Sequence, residues 1–320
     1  MKVVGLRRFG GPEVLEVIDL PTPHAGHGEV RIRVQAAAVN PVDTLIRSGT
    51  SAVRLNGSRP AIPGLDVAGV VDEVGPGLTT ELAVGDQVLA MVNPTRPDGG
   101  GYAEFVVLPE TWVVRAPAGA SAAEAATLPA NGLTALHALN LLNLPPGRVL
   151  AVTGAAGAVG GYAVQLGKAF GLRVYADAAH KDRDLVTSLG ADVVVERGDQ
   201  VADGFRAVAP NGVDAAVDAA VLGASLLPAI RDGGAVAYVR GHRDQTEYER
   251  RAASRRITLM PAYVHEYDGQ RAKLNQLRQL VDDGRLSLRV ADRFPAVEAA
   301  EAHRLLEKGG VRGRLIIEFP

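Results

Sequence analysis

The chain has 320 residues, of which 47% are hydrophobic, 22% are charged and 37 are glycine, so it is long enough for two domains with cores of their own and too apolar to be disordered. A formal net charge of −2 argues against nucleic acid as the main partner. The absence of cysteine excludes disulfides, thiolate nucleophiles and Cys-ligated zinc together.

In chain order, Arg7 and Arg8 interrupt the one apolar run of the N-terminal MKVVGLRRFGG, so this is no secretory signal and a cytoplasmic location is expected. Residues 29–36 alternate with period two and place Val30, Ile32 and Val34 on one face, the pattern of a half-buried strand. The proline of Asn40-Pro41-Val42-Asp43 ends that strand in a loop. Residues 62–75 read as a glycine-punctuated pair of strands, and 84–90 and 101–107 as two more. Short strands at this spacing, with little helix, indicate a barrel-like or rolled β domain.

The pattern changes after Trp112. Ser121-Ala122-Ala123-Glu124 is a capping box that starts a helix. Strands at 149–153, 173–176, 193–195, 215–218 and 236–239 then alternate with helical segments, which specifies a doubly wound parallel sheet with its ligand site at the strand carboxyl ends. Helices follow at 271–283 and 296–308. A last strand at 313–318 has nowhere to pair in a finished nucleotide-binding domain, so it is expected to return to the first domain. These readings divide the chain into 1–120, 121–260 and a return segment 261–320.

The organising stretch is 147–171. Val149 to Val152 has strand length, 153–160 reads TGAAGAVG, and Tyr162, Val164, Leu166 and Phe170 then recur at helical spacing. Gly154, Gly157 and Gly160 let the backbone turn tightly and approach a ligand with no Cβ in the way. With Ala155, Ala156, Ala158 and Val159, they bring the free N–H groups and positive end of a helix to a site that suits a pyrophosphate. The spacing departs from the strict G-x-G-x-x-G, and a close-packed strand-turn-helix with no ligand is the other account. The uncharged window 149–167 approaches transmembrane length, but its glycines and its strand-turn-helix pattern argue against a membrane span.

Six segments now coincide with one family: VNPVDTLIRSG at 39–49, IPGLDVAGVVDEVG at 62–75, VGDQV at 84–88, GGGYAEFVVLP at 99–109, AATLPANGLTALHAL at 125–139 and GAAGAVGGYAVQLGKAFG at 154–171. In this order they resemble the zinc-lacking quinone oxidoreductases of the medium-chain dehydrogenase/reductase superfamily. The resemblance implies an α/β protein with a GroES-like β-barrel substrate domain and a Rossmann domain, an NADP(H) cofactor and a homodimer. Its implied substrate is a small quinone or an α,β-unsaturated carbonyl, reduced by a hydride from the nicotinamide. Related readings are a reductase of enoyl or polyketide intermediates and a dinucleotide-binding protein with little turnover.

No metal is expected. Asn40 stands in the loop where the zinc-dependent branch has a cysteine ligand, and Pro63-Gly64-Leu65-Asp66 stands where that branch has Gly-His-Glu. By resemblance Asn40 and Asp43 belong to the nicotinamide end, as does Thr134; turn capping is the structural alternative for Asn40 and helix capping for Thr134. Leu45 occupies a position where the family often has tyrosine, so a tyrosine proton donor is missing there.

Cofactor choice rests on two opposed signals. Asp177, about 20 residues past the glycine turn, suits a ribose 2′-hydroxyl and so NAD(H). His180, Lys181, Arg183 and Arg197 supply cations that could hold a 2′-phosphate, and these favour NADP(H); an ordinary solvated helix start is the other account. Val239 and Arg240, at the end of another strand, are further candidates for the cofactor or the substrate mouth. The run Glu249-Arg250-Arg251 with Arg255-Arg256 reads as a solvated helix face.

Overall fold

A computed structural model describes residues 1–55, 57 and 59–320 and divides them into two compact units, Met1–Ala130 with Tyr267–Pro320, and Asn131–Glu266. The elements in order are β1 (Lys2–Gly5), β2 (Glu16–Asp19), β3 (Glu29–Val39), α1 (Pro41–Ser48), β4 (Asp66–Val74), β5 (Gln87–Met91), β6 (Phe105–Pro109), β7 (Val113–Arg115), α2 (Ala122–Ala125) and α3 (Pro129–Leu142). Next come β8 (Val149–Thr153), α4 (Ala158–Ala169), β9 (Arg173–Ala178), α5 (Arg183–Ser188), β10 (Val193–Glu196), α6 (Val201–Val208), β11 (Val213–Asp218), β12 (Ile230–Tyr238), α7 (Gln245–Ser254) and β13 (Thr258–Pro261). The chain closes with α8 (Arg271–Asp282), β14 (Val290–Pro295), α9 (Ala299–Lys308) and β15 (Arg314–Glu318).

In the first unit the sheet runs β14-β15-β3-β4-β5-β7, with β6 also paired to β3. The alternation in β3 buries Val30, Ile32 and Val34 as its period requires, and its last four residues are buried as well. Ile32, Val67, Tyr102, Leu108, Phe294 and Ile317 join in one core. The last strand does return to this unit: β15 pairs antiparallel with β3, Leu315 opposite Val39.

Residues 62–75 form one strand, not the expected pair. β4 starts at Asp66 and runs through Gly69, where a Cβ would lie 2.1 Å from the Arg33 carbonyl oxygen, beside the register shift at Val34 and Ala36. Glycine there admits a close strand approach and does not break the strand. The strand expected at 101–107 begins only at Phe105, and β14 at 290–295 was without a sequence signal because only Phe294 in it is buried.

The second unit is a six-stranded parallel sheet in the order β10-β9-β8-β11-β12-β13. Its inner strands are buried on both faces: Leu150, Ala151 and Val152 in β8 and Ala215, Ala216 and Val217 in β11 are inaccessible to solvent. The strand order reverses direction between β8 and β11, which is where ligands of doubly wound sheets bind. β12 is longer than the expected 236–239 and ends at Tyr238, so Val239 and Arg240 lie just beyond it. Among the described residues no helix is long and apolar enough to cross a membrane.

Candidate functional site

In the second unit β8 delivers the chain to Gly154, whose φ of +66° is a left-handed conformation that glycine adopts without strain. Gly157 is the extended N-cap of α4, and its N–H donates to the Gly154 carbonyl at 2.9 Å. A Cβ on Gly160 would come 2.3 Å from that same carbonyl oxygen. The first turn of α4 thus closes onto the strand end only because position 160 has no side chain. Ala155 and Ala156 are buried in the turn, and Ala158 and Val159 open the helix with N–H groups that have no preceding helical carbonyl. The backbone fits a dinucleotide pyrophosphate, which needs a close approach and a ring of amide donors.

Asp177 is 2% exposed, and its Oδ1 accepts a hydrogen bond from the Ala155 N–H at 3.2 Å. Burial pushes this carboxyl up from its ordinary range, against the pull of that amide and of Arg197. The carboxylate is therefore engaged by the glycine turn and supports it from within. His180 and Lys181, directly after β9, and Arg197, directly after β10, are all exposed. Among the described residues none of the three forms an ion pair; the nearby Arg183 is taken up by Glu196 and by the Val194 carbonyl.

A second buried acid braces the adjacent strand end. Asp218, the last residue of β11, accepts from Thr153 Oγ1 at 2.7 Å, from Leu222 N at 3.0 Å and from Gly223 N at 2.9 Å. The hydroxyl of Thr153 in turn accepts from Ala220 N at 3.1 Å. This turn carries Val221 at φ +59°, a strained position for a β-branched residue. Arg240 is exposed past β12, and Thr134 is half-buried in the second turn of α3, too far into that helix to cap it. Arg255, read as solvated, donates to the carbonyls of Leu227 and Ile230 and pairs with Asp232.

In the first unit, Asn40 and Asp43 come together at the start of α1. Asn40 is the N-cap, with proline next, and its backbone N–H donates to Asp43 Oδ2 at 2.7 Å. The Asn40 side chain reaches across to β4, its Nδ2 donating to Asp66 Oδ2 at 2.6 Å. Asn40 is thus both a cap and a bridge. Asp43 also accepts from Gly64 N at 2.8 Å and from the Tyr102 hydroxyl at 3.2 Å, while Asp66 accepts from Ala130 N. Tyr102 closes the cluster on α9, its hydroxyl lying 3.3 Å from His303 Nε2.

All five side chains are at least 96% buried, and their ionisation follows from that. Burial pushes the Asp43 carboxyl up to about 7; donation from Asn40, Gly64 and Tyr102 opposes it, and neighbouring Asp66 adds to it. Burial pushes Asp66 up to about 6, opposed by Ala130 N, Asn40 and the Arg314 guanidinium. The His303 imidazole is pushed down to about 3 by burial, with a further contribution from Arg47. Near neutrality this cluster is poised between one and two negative charges on its carboxyl groups, beside a neutral histidine.

Asp66, Tyr102, His303, Thr153 and Asp218 were not marked as functional by their sequence context. Asp66 and Tyr102 lie inside the LDVAG and GGYAE segments, where a polar residue amid small and apolar ones is a usable signal. His303, in the unremarkable helix AAEAHRLLEK, has none. Among the described residues, no group of three or more His, Cys, Asp or Glu side chains could hold a metal ion.

Residues 26–118 match the family described as the alcohol dehydrogenase GroES-like domain, and residues 189–317 match the one described as zinc-binding dehydrogenase. The chain is 32% identical to the chloroplastic quinone-oxidoreductase QR1 of Triphysaria versicolor, over 97% of this chain and 95% of that protein. A structure titled NAD-dependent alcohol dehydrogenase superposes on the whole chain with a TM-score of 0.89 at 31% identity, both chains being fully covered. A mycobacterial protein whose structure contains NADPH superposes with a TM-score of 0.87 at 28% identity, again covering both chains fully. The fold, the glycine turn and these likenesses agree, and the chain belongs to the quinone oxidoreductases of the medium-chain dehydrogenase/reductase superfamily.

Proposed function

We propose that this chain is a zinc-independent reductase that uses NADPH to reduce a quinone or an α,β-unsaturated carbonyl, working as a homodimer in the cytoplasm. When bound, the nicotinamide supplies the hydride. The observation that carries the choice of NADPH is the pairing of an occupied acid with unoccupied cations. Asp177 is buried and already holds the Ala155 amide, so it is spent as a ribose partner, whereas His180, Lys181 and Arg197 are exposed without ion pairs. Charge-assisted bonds from two or three such cations suit a phosphate. In the second unit the backbone of 154–160 would hold the pyrophosphate, with Val239, Arg240 and Thr134 as further contacts; the role of Asn40 in the first unit, a nicotinamide contact by family resemblance, is a separate part of the proposal.

The donor set around Asn40 offers an amide and two carboxylates already committed to backbone amides, with no thiolate. Such a set does not fit zinc, and the reaction is one in which no Lewis acid is needed. Quinones and enones meet that condition because their developing charge spreads over a conjugated system and is met by hydrogen-bond donors. The homodimer reading is supported by β13, an edge of the parallel sheet with an unpaired side, and is checked by sedimentation.

The test is a paired titration with NADPH and NADH, followed by stopped-flow oxidation of the bound cofactor by a simple quinone and a simple enone. NADPH is expected to bind tighter, and Lys181→Ala and Arg197→Ala each to weaken it roughly 10- to 100-fold while leaving NADH nearly unchanged, at about 1.5–3 kcal/mol for each charged hydrogen bond lost. Preference for NADH would overturn the phosphate assignment. Tight binding with no oxidation by any acceptor would overturn the reductase and leave a dinucleotide-binding protein.

A further inference from the structure

Of the two arrangements of protons around the Tyr102 hydroxyl, one is better satisfied. The hydroxyl lies 3.2 Å from Asp43 Oδ2 and 3.3 Å from His303 Nε2, and it has a single proton to give. If that proton went to His303, the neutral ring would carry its own hydrogen on Nδ1. Among the described residues His303 Nδ1 is buried with no hydrogen-bond partner, so an N–H there would be orphaned. Asp43 would in addition have to bring a proton of its own to the Tyr102 oxygen. If Tyr102 instead donates to Asp43, the His303 Nε2–H donates to the Tyr102 oxygen, and only an acceptor lone pair on Nδ1, less costly to leave unpaired than an N–H, lacks a partner. A charged imidazole is disfavoured by burial and by the nearby Arg47 guanidinium, which itself pairs with Glu307.

We propose that His303 is a positioning residue: as the neutral Nε2–H tautomer it donates to the Tyr102 hydroxyl, commits that hydroxyl's proton to Asp43, and so holds the carboxylate that ties down the Asn40 backbone. The inference deepens the function proposed above and rests on it only for the role of Asn40. The chain of bonds runs from α9 through Tyr102 to the first turn of α1, three segments far apart in sequence that converge on one carboxyl group. Two more charged groups face the cluster, Asp66 across the Asn40 bridge and Arg314 from β15. Asp66 favours a proton on Asp43, and the Tyr102 donation opposes it. His303 therefore sets the balance between these two by fixing where the tyrosine proton points.

The first test reads the tautomer directly. Long-range proton–nitrogen NMR of the full chain labelled in its seven histidines, with His303 assigned by the signals lost in His303→Gln, is expected to show the proton on Nε2; a proton on Nδ1 overturns the proposal. The second test uses Tyr102→Phe, which keeps the ring and removes the proton committed to Asp43. The pH at which stability is lost through Asp43 ionisation is expected to lie roughly one pH unit higher than in the parent. An unshifted profile overturns the proposal. None of these readouts needs turnover, so a chain that reduces no quinone or enone would refute the proposed function and leave this inference to be decided separately.

Discussion

Replacing Asp43 with asparagine is expected to change how stability depends on pH, by an amount that can be worked out from the buried cluster. Asp43 is inaccessible to solvent, and burial raises its carboxyl from an ordinary 3.8 to about 7. Below the unfolded value both states hold the proton and the contribution to stability is fully present. As pH rises towards 7 the unfolded chain releases its proton and the folded one does not, so that stability is lost. At about 1.4 kcal/mol per pH unit, this window is worth roughly 4 kcal/mol. His303 works in the opposite direction: depressed from 6.5 to about 3 by burial, it makes stability rise through its own window. Over much of the acid range His303 opposes both Asp43 and Asp66 in the parent, and Asp43→Asn removes the Asp43 slope alone. Asparagine has one acceptor oxygen where Asp43 receives N–H groups from both Asn40 and Gly64, so its amide faces a donor at a cost of about 1–3 kcal/mol. The variant is therefore expected to be less stable than the parent at low pH and to gain on it by roughly 4 kcal/mol as pH rises to neutrality. Urea unfolding of both proteins across this range gives the difference directly, and other titrating groups largely cancel. A difference that does not vary with pH would refute the reasoning.

Three further substitutions test single contacts. Gly160→Ala puts a Cβ 2.3 Å from the Gly154 carbonyl oxygen, which is backbone and cannot turn aside; it is expected to cost about 1–3 kcal/mol of stability and at least ~10-fold in NADPH affinity by fluorescence titration, and unchanged binding would remove the cradle from the argument. Arg47→Ala deletes a side chain only 5% exposed that pairs with Glu307 and donates to the Gly10 carbonyl; because Glu307 is 41% exposed, the expected loss in urea unfolding is only about 1–3 kcal/mol. Val221→Gly relieves a left-handed β-branched residue worth about 1–3 kcal/mol of strain against about 0.5–1 kcal/mol of added chain entropy, so the unfolding midpoint should rise; a fall would mean that the Val221 side chain stabilises more than its backbone costs.

The parts of the fold that could be read from the sequence are those where the pattern is local. Val30, Ile32 and Val34 announce β3 because alternate residues of a strand share a face. The glycine turn is legible because Gly154 and Gly160 answer to steric demands within a few residues of each other. The last strand could be assigned to the first unit by elimination alone. What failed were segments whose form depends on distant partners. Gly69 looks like a break, yet the Arg33 carbonyl on β3 makes it the one residue that fits. β14 lies along the edge of the sheet beside β15, and with three consecutive exposed residues it shows no alternation. His303 was illegible for the same reason, since its partner Tyr102 lies 201 residues away.

Asp177 shows how a residue located by spacing can meet a partner that the motif does not name. Counting from the glycine turn places an acid about where a ribose hydroxyl would be met. Neighbouring residues on a strand point to opposite sides, so a displacement of one position changes which surroundings a side chain enters. Asp177 is the fifth residue of β9, paired with Val195 of β10, and it ends under the glycine turn with the Ala155 amide on its carboxylate; the residue after it, where the strand ends, is the buried Ala178. An acid in that place stiffens the cradle. In the function proposed above, discrimination at the ribose falls to His180, Lys181 and Arg197, which the next segments expose. Spacing alone cannot make that distinction. It needs the hydrogen bond that Asp177 has already formed, and the same bond makes a prediction of its own: Asp177→Asn, which can keep an acceptor towards Ala155, should preserve the NADPH-to-NADH ratio, whereas Asp177→Leu should weaken both cofactors together. A selective gain in NADPH binding by Asp177→Asn would show instead that the carboxylate's charge reaches the ribose and opposes the phosphate.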